Sequence, residues 1–181
     1  MISKGESIVD GDKLQRLLDV EEIKRLKARY CRYIDTKQFD ALKTLFADDI
    51  RFDGFGSAPN GSDGATFIKG VTARLKGAVT FHHCHMPDIV FLGPDLARAV
   101  WAMEDYMEWD EPIGLPDAPQ ARGMQGFGHY EEEYCRVDGI WKMRHLRLRR
   151  LRAVPLRADH PKQTSPTWPT DADWLPAPEE G

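Results

Sequence analysis

Between residues 79 and 153 the chain is almost continuously strand-like, and this constrains its fold more than any other feature. Four segments, 79–92, 96–109, 124–137 and 140–153, are rich in β-branched and aromatic residues or alternate polar with apolar positions. Gly93-Pro94-Asp95 separates the first pair and Asp138-Gly139 the last pair, the latter a short hairpin signal. Residues 110–123, with Pro112, Pro116 and Pro119, form a loop between the middle two. Such connections leave no room for crossover helices, so consecutive strands run antiparallel as a meander.

Upstream, the period changes to that of a helix. Ile23, Leu26, Tyr30, Tyr33 and Ile34 recur at helical spacing over 19–35, and Asp19 followed by Glu22 has the form of a capping box, which predicts a helix start near Val20. Phe39, Leu42, Leu45 and Phe46 share one face of a shorter helix that Asp48-Asp49 ends, and Ile50-Arg51-Phe52 alternates as a short strand. Residues 53–64 hold four glycines and Pro59, a loop able to take positive φ, and lack the Gly-Lys-Ser/Thr ending of a phosphate-binding loop. A third helix is predicted over 66–76. Helices segregated from an antiparallel sheet define an α+β fold. The expected organisation is an arm at 1–18, one domain at 19–154 and a tail at 155–181. Six prolines in those last 27 residues prevent helix and central strand, while Trp168 and Trp174 suit a tail laid over the surface, a lid, or an arm on a neighbouring subunit.

Composition excludes several functions. With 25 basic against 29 acidic residues the net charge is −4, which gives no general attraction to nucleic acid. No window approaches 18 consecutive apolar residues, and the N-terminus lacks the basic-then-apolar pattern of a signal peptide, so a cytoplasmic protein without a membrane span is expected. Cys31, Cys84 and Cys135 supply neither a disulfide framework nor a Cys-x-x-Cys spacing, and are read as small buried hydrophobes.

The chemistry-bearing residues are few. Three of six histidines fall within four positions, His82, His83 and His85; strand alternation puts His82 and Cys84 on one face, His83 and His85 on the other. His83 and His85 would need a third ligand that no spacing supplies, so no metal is predicted, whereas a pocket-facing histidine suits acid–base work at neutral pH. Trp101, Met103, Asp105 and Met107 share a strand face. If that face is interior, Asp105 needs a partner such as His82, Tyr30 or Arg150; otherwise it faces water with the charges around it. Tyr30 lies on the apolar helix stripe, and Asp35, five residues on, sits about 140° away on an ideal helix, so spacing alone shows no dyad. The basic run Lys142, Arg144, Arg147, Arg149, Arg150 and Arg152 is expected to pair across the sheet with 104–111 and with Glu131-Glu132-Glu133, one arginine turning inward.

The run 20–30 with Tyr30, then Ile34-Asp35, Phe39-Asp40 and Leu45-Phe46-Ala47-Asp48-Asp49, resembles the opening of SnoaL-like proteins of the nuclear transport factor 2-like superfamily. The histidine strand 81–86, Glu104-Asp105, 126–130, and Asp138-Gly139 followed by Trp141 before an arginine-rich strand agree with it, over 19–153. The resemblance implies a cone in which a curved antiparallel sheet wraps the N-terminal helices around a mostly apolar cavity. It is nearest to cofactor-free lyases of the bile-acid dehydratase and scytalone dehydratase type, with a lindane dehydrochlorinase among the similar proteins. Isomerases, hydrolases and non-catalytic binding proteins share the fold, so the fold does not decide function.

Residue by residue, the resemblance to the bile-acid dehydratases implies catalytic roles for Tyr30, Asp35, His82 and Asp105, with Asp35 and His82 matched in the dehydrochlorinase as well. Arg150, His85, Trp101 and Met103 are read as substrate-binding, with Arg147 or Arg149 replacing Arg150 should a bulge shift the last strand. The implied reaction is elimination of water or formaldehyde from a hydrophobic cyclic or aromatic alcohol, steroid-like or lignin-derived. His82 would move the proton, Asp35 would orient it, and Tyr30 and Asp105, the latter in either protonation state, would assist departure. No cofactor is implied, and a homodimer or homotrimer is the expected assembly. The glycine-rich loop, His83-Cys84 and the tail depart from the pattern, so substrate identity does not carry over.

Overall fold

The computed structural model describes residues 11–157, 159–161 and 175. The first ten residues of the predicted arm, and most of the tail with Trp168 and Trp174, lie outside them, as does the lid or clasp reading. Helix α1, Gly11–Asp35, is helical nine residues before the predicted start. Asp19 is not a cap. It is 2% exposed in mid-helix, accepts from Gln15 Nε2 at 2.9 Å one turn earlier, and pairs with Arg136 of a distant strand. Periodicity missed the early turns because Leu14, Leu17 and Leu18 are exposed and present no buried stripe.

Burial works against the Asp19 charge, but hydrogen bonds from Gln15 and Arg136 outweigh it, holding the carboxyl below its ordinary value of about 3.9. A depressed folded-state value stabilises above the unfolded value and is lost as pH falls through the folded one. Asp19→Asn is therefore expected to flatten the acid limb of stability below about pH 4, as measured by urea unfolding across pH. An unchanged limb would show that Asp19 does not couple to folding.

Helix α2 is Phe39–Lys43, strand β1 is Phe46–Asp53 and helix α3 is Gly64–Leu75. Phe46, expected at the end of a helix, begins β1, because residues 46–53 gain ladder partners on the last strand that a local helical pattern cannot anticipate. Asp63 caps α3 by accepting from Thr66 N at 2.8 Å. Strands β2, Val79–Phe91, β3, Leu96–Glu108, β4, Gly123–Val137, and β5, Ile140–Pro155, follow the four predicted segments. Asp138 and Gly139 both take positive φ, 50° and 83°, as a primed hairpin turn requires.

The five strands form one curved, open sheet in the order β1-β5-β4-β3-β2, antiparallel except for β1, which pairs parallel to β5. Its inner face packs on α1 through Ile23, Leu26, Tyr30 and Ile34, all buried. Phe52 and Phe67 stack at 3.8 Å between centroids, with Phe46 and Phe55 edge-on to Phe67, and close the end of the core under α3. At the C-terminal side, Leu156 N donates to Gly123 O and Arg122 to His160 O, which ties Leu156 and His160 to the residues that open β4. Among the described residues no helix is long and apolar enough to cross a membrane.

Candidate active site

Helix α1 ends at Asp35. The backbone N–H of Gln38 donates to Tyr33 O at 2.8 Å and that of Lys37 to Ile34 O at 3.2 Å, with Lys37 at φ 62°, which is a Schellman cap bearing lysine where glycine is usual. This cap stops the helix with the Asp35 carboxylate beside the start of β2. One Asp35 oxygen lies 2.6 Å from His82 Nδ1 and accepts from Thr80 Oγ1 at 2.9 Å; the other accepts from the His82 backbone N–H at 2.8 Å. Because Asp35 is an acceptor, Nδ1 carries the proton and Nε2 is the nitrogen left to act. Lys37 Nζ donates to Thr80 Oγ1 at 2.7 Å, and burial pushes that ammonium down to about 8 against the opposing pull of Asp35.

His82 lines a cavity of about 210 Å³ between α1, α3, residues 54–57 and the inner face of the sheet. Tyr30 lines the same cavity, fully buried, and its hydroxyl has no partner among the described residues. Burial, with the Glu132 charge adding to it, pushes the Tyr30 hydroxyl well above its ordinary value, so it is a donor in need of an acceptor. The wide angle between Tyr30 and Asp35 on α1 is no obstacle: Tyr30 lines the cavity, while Asp35 engages the ring nitrogen of His82 from outside the lining.

Asp105 and Arg150 also line the cavity and form a two-pronged pair, both nitrogen–oxygen distances being 2.6 Å. Burial works against the Arg150 charge, but Asp105 outweighs it and holds the guanidinium above its ordinary value. Both Asp105 oxygens accept from the Arg150 guanidinium. Arg150 points inward because of a bulge. The register passes from Tyr134↔Met143 to Glu133↔His145, so Arg144 is supernumerary and the inward positions switch from Trp141 and Met143 to Leu146, Leu148 and Arg150. Arg147 and Arg149 remain outside, paired with Glu131.

Gly126 makes room for this pair. A Cβ there would overlap Arg150 Nη1 and Asp105 Oδ1. Gly126→Ala is expected to displace the pair and cost about 1–3 kcal/mol as an overpacked core does, read from the denaturant midpoint. An unmoved midpoint would show that the pair can shift freely. Gly54, at φ 79°, brings residues 54–57 against the backbone of Leu148 and so closes one wall of the cavity.

Three expected substrate-binding residues do not line this cavity. His85 is exposed at a bulge between Cys84 and Pro87. Trp101 and Met103 face inward as their alternation requires, yet serve another part of the interior, where Trp101 Nε1 donates to Tyr134 OH at 3.0 Å. There Lys27, 1% exposed, pairs with Glu132, which also accepts from Tyr134 OH. Sequence reasoning placed Glu132 on the surface. The signals that could have found this pair are Lys27 on the Ile23–Tyr30 stripe and the shared parity of Glu132 with Tyr130 and Tyr134. Among the described residues no three His, Cys, Asp or Glu side chains converge to hold a metal.

Known proteins resemble this chain over most of its length. It is 26% identical over 146 residues to the probable cyclase FGR4 of Gibberella zeae, covering 71% of this chain and 89% of the relative. The crystal structure of a Novosphingobium aromaticivorans protein named provisionally as a scytalone dehydratase superposes with a TM-score of 0.67 at 19% identity, covering 80% of this chain and 92% of that one. A type 2 hexachlorocyclohexane dehydrochlorinase superposes at 0.70 with 19% identity, covering 84% and 98%. These structural likenesses show that the chain shares the α+β fold of those proteins. Residues 15–147 match the SnoaL-like domain, and the chain belongs to that family.

Proposed function

We propose that this protein is a cofactor-independent lyase that eliminates water, or formaldehyde, from a neutral, compact cyclic or aromatic alcohol. The observation that carries the reading is the Asp35–His82 dyad set in the wall of a mostly apolar cavity beside the unpartnered Tyr30 hydroxyl. Asp35 fixes the imidazole tautomer and stabilises the imidazolium, so His82 Nε2 takes a proton from the carbon next to the carbinol. For loss of water, the C–H electron pair becomes the new double bond, the C–O bond breaks, and the departing hydroxyl leaves as water with the proton that His82 returns; for loss of formaldehyde, His82 takes the carbinol O–H proton instead, the O–H pair forms the C=O bond, the C–C bond breaks and its carbon receives that proton back from His82. Tyr30 donates to the oxygen on which charge develops. The elimination changes no net oxidation level, so the chemistry asks for no electron carrier.

Cavity size and charge narrow the substrate. A 210 Å³ space exceeds the roughly 150 Å³ that holds benzene and falls short of the usual 300–1,000 Å³ of ligand sites. One or two rings fit this space better than a four-ring steroid. Arg150, engaged on both prongs by Asp105, is no free anchor for an acid, which favours an uncharged alcohol.

The test is mass spectrometry of the purified protein with one- and two-ring cyclic and aryl alcohols that carry a C–H next to the carbinol carbon, hydroxylated steroids serving as the size control, beside His82→Ala. Loss of water or formaldehyde from the small alcohols, absent in the variant, is the expected result. A product of unchanged mass would instead make the protein an isomerase working from the same dyad, and product formation that survives the substitution would remove His82 from the reaction.

A further inference from the structure

We propose that Cys31 and Cys84 form a reversible dithiol site that reacts with small disulfides of the glutathione type and closes a covalent cross-link between α1 and β2. Their sulfurs lie 3.5 Å apart and come from different elements, 53 positions apart in the chain. Both line an open surface groove of about 380 Å³, which also holds Lys24, Lys27 and His85 and shares His82 with the substrate cavity. No carboxylate lines the groove itself, its two lysines being paired with Glu21 and Glu132 behind it, so nothing in the lining repels a small disulfide such as oxidised glutathione.

The two thiols differ in the way a stepwise exchange needs. Cys84 is the more accessible, and the hydrogen bond from Cys31, helped by the Lys27 ammonium, draws its thiol below the ordinary value despite burial. Cys31, 9% exposed, is pushed up by the same hydrogen bond and by burial. The Cys84 thiolate attacks one sulfur of the small disulfide, forming a mixed disulfide and releasing one thiolate. Cys31 then gives up its proton and attacks the Cys84 sulfur, expelling the second thiolate. The sum is one protein dithiol and one small disulfide giving one protein disulfide and two small thiols. The reading of all three cysteines as small buried hydrophobes fits Cys31, while Cys84 and Cys135 are only partly buried. Cys84 lies two residues after His82 on one strand face, and Cys31 one helical turn before Asp35, so the cross-link joins the two elements that meet at the dyad.

Peptide mapping of the folded full chain after incubation with oxidised glutathione, acid quench and alkylation tests this without reference to any substrate. The expected result is a reducible link between the Cys31 and Cys84 peptides in a protein of monomer mobility on a non-reducing gel, with Cys135 still alkylated. The oxidised form should melt about 5–10 °C higher, since the link closes a long loop in the unfolded chain. Cys31→Ser should retain one glutathione on Cys84. A lasting mixed disulfide on wild-type Cys84, a link formed only between chains, or a link formed only after denaturation would each overturn the proposal.

Discussion

His82→Ala is expected to lower kcat by roughly 10²–10⁴-fold, the range that general acid–base catalysis supplies, while leaving the fold intact. The fold should survive because Asp35 keeps the hydrogen bonds from Thr80 Oγ1 and from the backbone N–H of residue 82, and because the imidazole sits in a cavity wall rather than the packed core. Asp35→Ala should produce a loss of similar kind, since the ring then has nothing to hold its tautomer or its charge. The two losses should not add, because both residues act through one nitrogen. Steady-state kinetics of the two variants and their double, with circular dichroism to check folding, decides this. Additive losses would mean that Asp35 acts on the substrate independently of His82.

The second large effect is on stability. Lys27→Met strands the Glu132 carboxylate, which is buried with the lysine as its cation, and should cost about 3–5 kcal/mol. For a domain of this size that corresponds to a Tm lower by roughly 6–20 °C. Burial works against the Lys27 charge, yet Glu132 outweighs it and raises the ammonium above its ordinary value. Lys27 also lies over the rings of Tyr30 and Tyr130, 4.2 and 3.7 Å from their centroids, so its loss loosens two walls of the cavity. The double variant Lys27→Met/Glu132→Leu should recover most of the loss, short of about 1–3 kcal/mol for the Tyr134 hydroxyl left without its acceptor. A double variant less stable than Lys27→Met would show that the pair is not the unit of stability.

Residues that depend on local pattern were legible. The four strands and the Asp138-Gly139 turn follow from alternation and from a turn type that two short residues at positive φ satisfy. The buried stripe of α1 follows from the 3.6-residue period. The residues Asp35, His82 and Arg150 were reached through resemblance, because neither spacing nor composition brings the end of a helix to the start of a strand forty-odd residues later. Pattern failed where a residue's partner is distant. Asp19 looks like a cap until Arg136 reaches it, and Phe46 looks helical until β5 offers it a ladder.

The sequence by itself therefore determined the element types, their order and which face of each is apolar, since these depend on periods of 2 and 3.6 that any chain of this pattern must obey. Tertiary structure alone decided what the apolar faces enclose. One supernumerary residue at Arg144 selects Arg150 over its neighbours, the Lys37 cap delivers Asp35 to His82, and packing leaves Tyr30 without a partner while giving one to Trp101. Bulges, caps and long-range hydrogen bonds are set by the meeting of segments far apart in the chain, and that meeting exists only once the sheet has curved around the helix.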